Sequence, residues 1–202
     1  MSRKDAKRAT RAKRKKLRGR KPAGGSSMPA AAASPPPAMR AARPHIPGYG
    51  IVGEKEGRGL LPWSWAEERL SGAHTYWLAT TRPDSRPHVM PVWGLWWHGA
   101  FYFSTGENTV KAQNLAANPH CVVCPARGDE AVILEGTVEL LPASPRLQAL
   151  WEAYQKKYAW DMKGSPFYAV RPRSVFGFIE KDDLFTKTAT RWLFPSPSRS
   201  AP

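Results

Sequence analysis

The sequence predicts a mainly β domain, an antiparallel sheet closed or nearly closed into a barrel, with a few helices between the strands. Three observations predict it. Short runs rich in aromatic and β-branched residues follow one another, as in HTYWLATT, AFYFST and HCVVC. The first of them are joined by tight turns, Arg82-Pro83-Asp84-Ser85 and His98-Gly99, which suit hairpins and are too short for parallel crossovers. Helical patterns are few and do not alternate with strands, so βαβ units and a Rossmann site are not expected.

Taken in order, residues 1–45 read as a tail. Ser2 to Lys21 is a Lys/Arg run, and Pro22 to Pro44 is rich in Ala, Pro, Gly and Ser. Neither stretch can bury a core, so both are expected to be disordered. The tail holds 14 basic residues and one acid, Asp5, for a charge of +13; residues 46–202 hold 17 basic and 15 acidic side chains, +2, and together these give the chain's +15. The high isoelectric point therefore belongs to the tail, and a basic nucleic-acid face is excluded for the domain. Residues 2–21 offer nucleic acid or an anionic surface a place to bind, weighed against a plain solvated extension, which is the preferred reading.

The domain is read as 46–195. Ser64-Trp65-Ala66-Glu67 has the form of a capping box, opening a helix to about Leu70 with Gly72 after it. His74–Thr81 alternates, with Thr75, Trp77 and Ala79 on one face and Tyr76, Leu78 and Thr80 on the other. Pro87–Trp97 is the next strand, and Pro91 within it implies an edge or a bulge. His98-Gly99 turns into the strand Ala100–Thr105. A helix follows over Thr109–Ala117, with Asn108 as its N-cap and Asn118-Pro119 as its stop. His120–Pro125 and Ala131–Leu141 are strands. Ser144-Pro145 opens an amphipathic helix to about Tyr158, with Leu147, Leu150, Trp151 and Tyr154 as its apolar stripe. Ser174–Ile179 and Phe185–Phe194 close the sheet, and 196–202 is a frayed end.

One stretch carries chemistry. Lys111 falls in the first turn of its helix, where a cation opposes the helix dipole. A bound anion would reverse that cost, since free N–H groups and the ammonium converge on it. Ser104, Thr105 and Thr109 add hydroxyls. The competing reading is a solvated lysine beside ordinary strand-end residues, and the spacing alone does not separate the two.

Other motifs are read structurally. Cys121 and Cys124 form C-x-x-C, but positions i and i+3 of a strand face opposite ways, roughly 10 Å apart, beyond disulfide reach. Two small buried side chains in a reducing compartment are expected, with no metal site. Trp93, Trp96 and Trp97 either line an aromatic pocket or fill the barrel and an interface. Lys156-Lys157 reads as a solvated face. No apolar run approaches the roughly 20 residues of a membrane span, and the N-terminus lacks an apolar secretory core, so a cytoplasmic protein is expected. No G-x-x-x-x-G-K-[ST] occurs, and no Ser-His-Asp set or carboxylate pair supports a hydrolase.

The succession YWLATTRPDSRPHVMPVWGLWW, AFYFSTGENTVKAQNLAANP, VILEGTVEL and TATRWLF resembles the pyridoxamine 5′-phosphate oxidase-like split-barrel flavoproteins, closest to the branch that uses FMN or the deazaflavin coenzyme F420. The resemblance covers about residues 60–194. Its more specific parts are Lys111, Asn114, Leu115, Asn118 and Pro119, and the Glu135-Gly136-Thr137 strand. It implies a six-stranded antiparallel split barrel, homodimeric, with two cofactor sites at the subunit interface and a small-molecule substrate. It places His88, Val89, Met90, Pro91 and Val92 along the cofactor ring. It places Ser104, Thr105, Thr109 and Lys111 on the phosphate, with Asn114 in the same binding set. Arg191 and Trp192 are implied to reach the site from the partner chain. His88 is a weak candidate proton donor, and no other catalytic residue is implied. The segment Glu107–Val110 lacks the arginine that commonly precedes the lysine in FMN oxidases of this family, which favours F420 over FMN. A non-enzymatic cofactor-binding protein on the same fold stands as the alternative.

Overall fold

Burial alternates with period two along Tyr76–Thr81, His120–Pro125 and Thr190–Leu193, and that alternation decides which way the sheet faces there. The computed structural model describes residues 39–51, 53, 59–181 and 184–195, all within the compact unit Ala33–Pro202. The elements in order are β1 (Arg40–Ala42), α1 (Trp63–Gly72), β2 (Tyr76–Thr81), β3 (Pro87–Val92), β4 (Gly94–Trp97), β5 (Ala100–Phe103), α2 (Val110–Ala117), β6 (His120–Pro125), β7 (Glu130–Leu140), α3 (Pro145–Tyr158), β8 (Tyr168–Ile179), α4 (Leu184–Thr188) and β9 (Thr190–Leu193).

All pairings are antiparallel. The main path runs β1-β9-β8-β7-β6-β2-β3, and the β4–β5 hairpin joins through β5 to β8. β3 and β4 do not pair with each other, so hydrogen bonds do not close the sheet. The chain bridges the gap itself: β3 pairs with β2, β4 pairs with β5, and only Trp93 separates them. Counting β3–β4 as one bent ribbon, the circuit is β2, β3–β4, β5, β8, β7, β6, which is a six-stranded split barrel with β9 and β1 as an extension. A Cβ at Gly94, on the bend, would collide with the Phe101 ring and lie 2.8 Å from the Tyr102 carbonyl, so the bend demands glycine. β8 splits likewise. Its first half pairs with β5 and its second half with β9, and β7 spans both.

The barrel interior holds Tyr76, Leu78, Phe101, Phe103, Val123, Leu134, Val170, Val175 and Trp192. β5 is buried on both faces, because Ala100 and Tyr102 point the other way into a second cluster under α3 with Leu147, Leu150, Tyr154 and Phe167.

The structure departs from the sequence reading at definable places. The domain boundary at Ile46 is late, since Arg40–Ala42 pairs with Leu193–Arg191 of β9; three residues without periodicity become a strand through tertiary pairing alone. Ser64 caps nothing: α1 begins at Trp63 behind Pro62 with no side-chain cap, and Glu67 accepts a hydrogen bond from Trp96 Nε1 at 3.1 Å. Thr109, not Asn108, is the N-cap of α2, and its hydroxyl accepts from Ala112 N at 3.4 Å. The expected strand Phe185–Phe194 is a short helix followed by β9. Pro91 lies on the edge strand β3 as expected. His98 and Gly99 both take positive φ, 46° and 74°, the geometry of a tight hairpin. Gly48, Gly50 and Gly53 spell G-x-G-x-x-G, but among the described residues no strand leads directly into them and the next helix is at Trp63, so they lack the strand–loop–helix context of a dinucleotide site. The basic run 2–21 and the end 196–202 lie outside the described residues.

Candidate cofactor site

α2 is positioned by its own sequence. Val110 starts the helix after the Thr109 cap, and Ala112 and Leu115 turn inward to the core. Asn114 is buried with them, and its Nδ2 donates to Thr80 Oγ1 at 3.0 Å. Thr80 Oγ1 in turn lies 3.3 Å from His88 Nδ1 and donates to the His88 carbonyl at 3.3 Å. This chain of contacts ties α2 through β2 to β3. It makes Asn114 a structural tether, not a ligand-facing group.

Lys111 is the second residue of α2 and is half-buried. Among the described residues it forms no ion pair or hydrogen bond. The Val110 and Lys111 N–H groups beside it precede the helix's own acceptors. The hydroxyls are less free than the sequence implies. Ser104 Oγ donates to the Pro166 carbonyl at 2.7 Å. Thr109 Oγ1 donates to the Gly106 carbonyl at 2.8 Å and shares a 3.1 Å contact with Thr105 Oγ1. With its proton on the Gly106 carbonyl, Thr109 Oγ1 accepts from Thr105, so Lys111 and the backbone N–H groups are the donors that face an anion here without breaking a bond.

β3 supplies an apolar ledge. Val89, Met90 and Pro91 are exposed, although Val89 and Met90 stand on opposite faces, because β3 is an edge with a single neighbour. Val92 differs: it is buried in the main core and anchors the strand instead of lining a site. Trp93, just beyond, stacks on Tyr158 with centroids 4.9 Å apart. Trp96 belongs to the core, and Trp97 packs against the cluster under α3.

Arg191 and Trp192 part company. Trp192 is fully buried inside its own protomer, edge-on to Trp63 at 5.5 Å and against Gly177, so it is not presented to a partner; neighbouring positions of a strand face opposite ways, and the pair cannot share one task. Arg191 points outward, its guanidinium 5.3 Å from the Phe176 ring and its Nε buried without an acceptor. It borders a cleft of about 620 Å³ on the outer face of the sheet, which also includes His120, Glu135, Arg173 and Ser174.

Lys157 corrects the reading of a solvated Lys156-Lys157 face. Its Nζ donates to the Gly94 carbonyl at 2.9 Å, Tyr76 Oη at 3.0 Å and the Ser71 carbonyl at 3.4 Å. It thus ties α3 to the end of α1 and to the β3–β4 bend. Burial lowers this amine from the ordinary lysine value to about 8. A lysine on the stripe side of the helix, three residues after Tyr154, was the available signal. Both cysteines are free thiols, and burial pushes Cys121 up to about 12 and Cys124 up to about 11, so neither is a thiolate nucleophile. No group of three or more metal-ligating side chains occurs among the described residues.

A family model described as pyridoxamine 5′-phosphate oxidase matches residues 65–180, more than half of the chain. The chain belongs to this family. Among solved structures it is similar to the conserved hypothetical protein Rv2991 from Mycobacterium tuberculosis, at 19% identity over 62% of this chain and 91% of that one, with a TM-score of 0.55. It is also similar to a protein described as an F420 reductase, at 22% identity over 57% of this chain and 98% of that one, TM-score 0.46. A FAD-binding protein from Mesorhizobium loti matches at 17% identity over 67% of this chain and 96% of that one, TM-score 0.49. No curated protein matches the chain in sequence. No helix among the described residues is long and apolar enough to cross a membrane.

Proposed function

We propose that this protein is an oxidoreductase that moves a hydride between a bound deazaflavin coenzyme, F420, or FMN and a small organic substrate, acting as a cytoplasmic homodimer. The observation that carries the reading is Lys111, half-buried in the first turn of α2 without an anionic partner among the described residues. Such a cation is unfavourable at a helix start unless an anion joins it.

The residues present fit a phosphate-bearing planar coenzyme. Lys111 and the first N–H groups of α2 would hold its phosphate, and the Thr105 hydroxyl would join them by giving up its contact with Thr109. The exposed edge strand β3, with Val89 and Pro91 on one face and Met90 on the other, offers its ring an apolar ledge on one of these faces, kept rigid by Val92 in the core. When bound, the coenzyme supplies the hydride chemistry, and the protein supplies binding, orientation and exclusion of water. His88 would exchange a proton, and with Thr80 Oγ1 at 3.3 Å from its Nδ1, Nε2 would be the nitrogen that does so. Arg191 of a second copy would complete the site with a charge for phosphate or carboxylate. Thr109-Val110 in place of an arginine before Lys111 leaves one cation fewer at the phosphate, which favours F420 over FMN.

Turnover separates an enzyme from a cofactor carrier. Reduced coenzyme bound to the full chain is mixed with a panel of quinone, enone and nitroaromatic acceptors, and its absorbance is followed. Acceptor-dependent oxidation supports the reading. Tight binding with no oxidation above the protein-free rate for every acceptor overturns it in favour of a carrier.

A further inference from the structure

We propose that the outer face of the sheet carries an oxyanion site, in which Arg173 and Arg191 bind the charge and Glu135 selects an oxyanion that brings its own proton, a phosphate group being the simplest. None of Ser104, Thr105, Thr109 or Lys111 lines this cleft, so the site is separate from the one at α2 within a protomer.

The backbone builds it. β7 and β8 pair residue for residue until Glu135↔Ser174, after which Gly136 pairs with Pro172. The residue left over is Arg173. A bulge of this kind re-aims the extra side chain, and here it turns Arg173 into the cleft that Arg191 borders. The geometry is fixed from both sides. A Cβ at Gly136 would lie 2.5 Å from the Arg171 carbonyl and 2.8 Å from Val170 Cγ1, and the Arg173 carbonyl accepts from Phe194 N at 3.0 Å.

The charges are left open. Arg171, two residues earlier, is paired with Glu139 at 2.7 Å. Among the described residues, Arg173 and Arg191 have no carboxylate partner, and the buried Nε of Arg191 has no acceptor at all. A buried donor left unmade is costly, and a ligand oxygen removes that cost. The cleft volume of about 620 Å³ is within the range of small-molecule sites. Guanidinium forks match oxyanions in shape as well as charge.

Glu135 sets the selectivity. Ser174 Oγ donates to its Oε2 at 2.6 Å, which holds the carboxylate in place and leaves Oε1 as an acceptor. A carboxylate beside two arginines repels a fully deprotonated anion but accepts a hydrogen bond from one that keeps a hydroxyl. Phosphate keeps one at pH 8, and sulfate, its match in size and shape, does not.

The test uses the full chain in a Lys111→Ala background, which takes the lysine out of the anion site at α2, and it reads the cleft through Arg173 and Glu135, which, unlike Arg191, have no part in the cofactor reading. Inorganic phosphate and sulfate are titrated by calorimetry at pH 8. Phosphate is expected to bind roughly tenfold more tightly than sulfate, Arg173→Met to lose roughly tenfold or more of the phosphate affinity, and Glu135→Gln, whose amide now donates, to erase or reverse the preference. Arg173 is exposed, so its variant tests binding even if Arg191→Met does not fold; thermal melts check each variant. Equal affinity for the two anions, no measurable binding of either, or phosphate binding indifferent to Arg173→Met and Glu135→Gln would overturn the proposal. A phosphate monoester, which has lost its last proton at pH 8, is expected to bind as weakly as sulfate; binding as tight as that of inorganic phosphate would overturn the role given to Glu135.

Discussion

The buried amide of Asn114 donates to the Thr80 hydroxyl at 3.0 Å, and that single contact sets where α2 stands on the sheet. The same hydroxyl faces His88, so the helix that carries Lys111 and the strand that carries the apolar ledge share one anchor. Asn114→Ala removes the donor from a site that is 2% exposed. The expected loss is about 1–3 kcal/mol, read as a lower midpoint in urea with an unchanged slope. Coenzyme affinity should fall with it. A variant as stable as the parent would mean that α2 is held by Leu115 and Ala112 alone.

Lys157 gives a pH dependence with a definite sign. Its amine titrates near 8 in the folded protein, lowered by burial from the ordinary value of 10.5. The unfolded chain therefore binds more protons between these values, and stability rises with pH across that window. The ammonium is a liability below about pH 8, fading as pH climbs toward 10.5. The shift corresponds to an upper bound of about 3 kcal/mol, reduced by residual solvent contact. The wild type should gain stability between pH 8 and 10 relative to Lys157→Met, which lacks that slope. Parallel pH profiles for the two chains would show that this amine titrates normally.

β1 bears on how the basic tail is tested. Met39 and Ala41 pack against the main core, and Arg40–Ala42 pairs with β9. Removing residues 1–38 should leave the melting temperature within a degree or two. Removing 1–45 should lower it by several degrees, because β9 loses its neighbour and Trp192 loses cover. A nucleic-acid gel shift of the full chain, lost on removal of 1–38 alone, would assign that binding to the tail; no shift in the full chain would dismiss it.

Much of the sheet was legible because it rests on local signals. The alternation of Tyr76, Leu78 and Thr80 against Trp77 and Ala79, the His98-Gly99 turn and the edge placement of Pro91 are each written in a few adjacent residues. The place of Lys111 in a first helical turn was legible because the start and stop of its helix lie in adjacent residues. What was missed is non-local. Arg40–Ala42 is a strand only because β9 lies beside it. Lys157 looks solvated until Tyr76, Ser71 and Gly94 are brought to it from three other segments. The Ser64–Glu67 pattern fitted a capping box, but Trp96 competes for Glu67 across 29 residues. Arg173 carried no signal, since a bulge exists only in the register of two strands.

The most direct test of the cofactor site is a paired titration of the full chain with F420 and with FMN, followed by quenching of tryptophan fluorescence, alongside Lys111→Ala. The expected result is saturable binding of F420, tighter than FMN, weakened roughly tenfold or more by Lys111→Ala, the scale of one lost charge-assisted contact. Binding of neither coenzyme, or binding indifferent to Lys111, would contradict the account and leave the start of α2 without its anion.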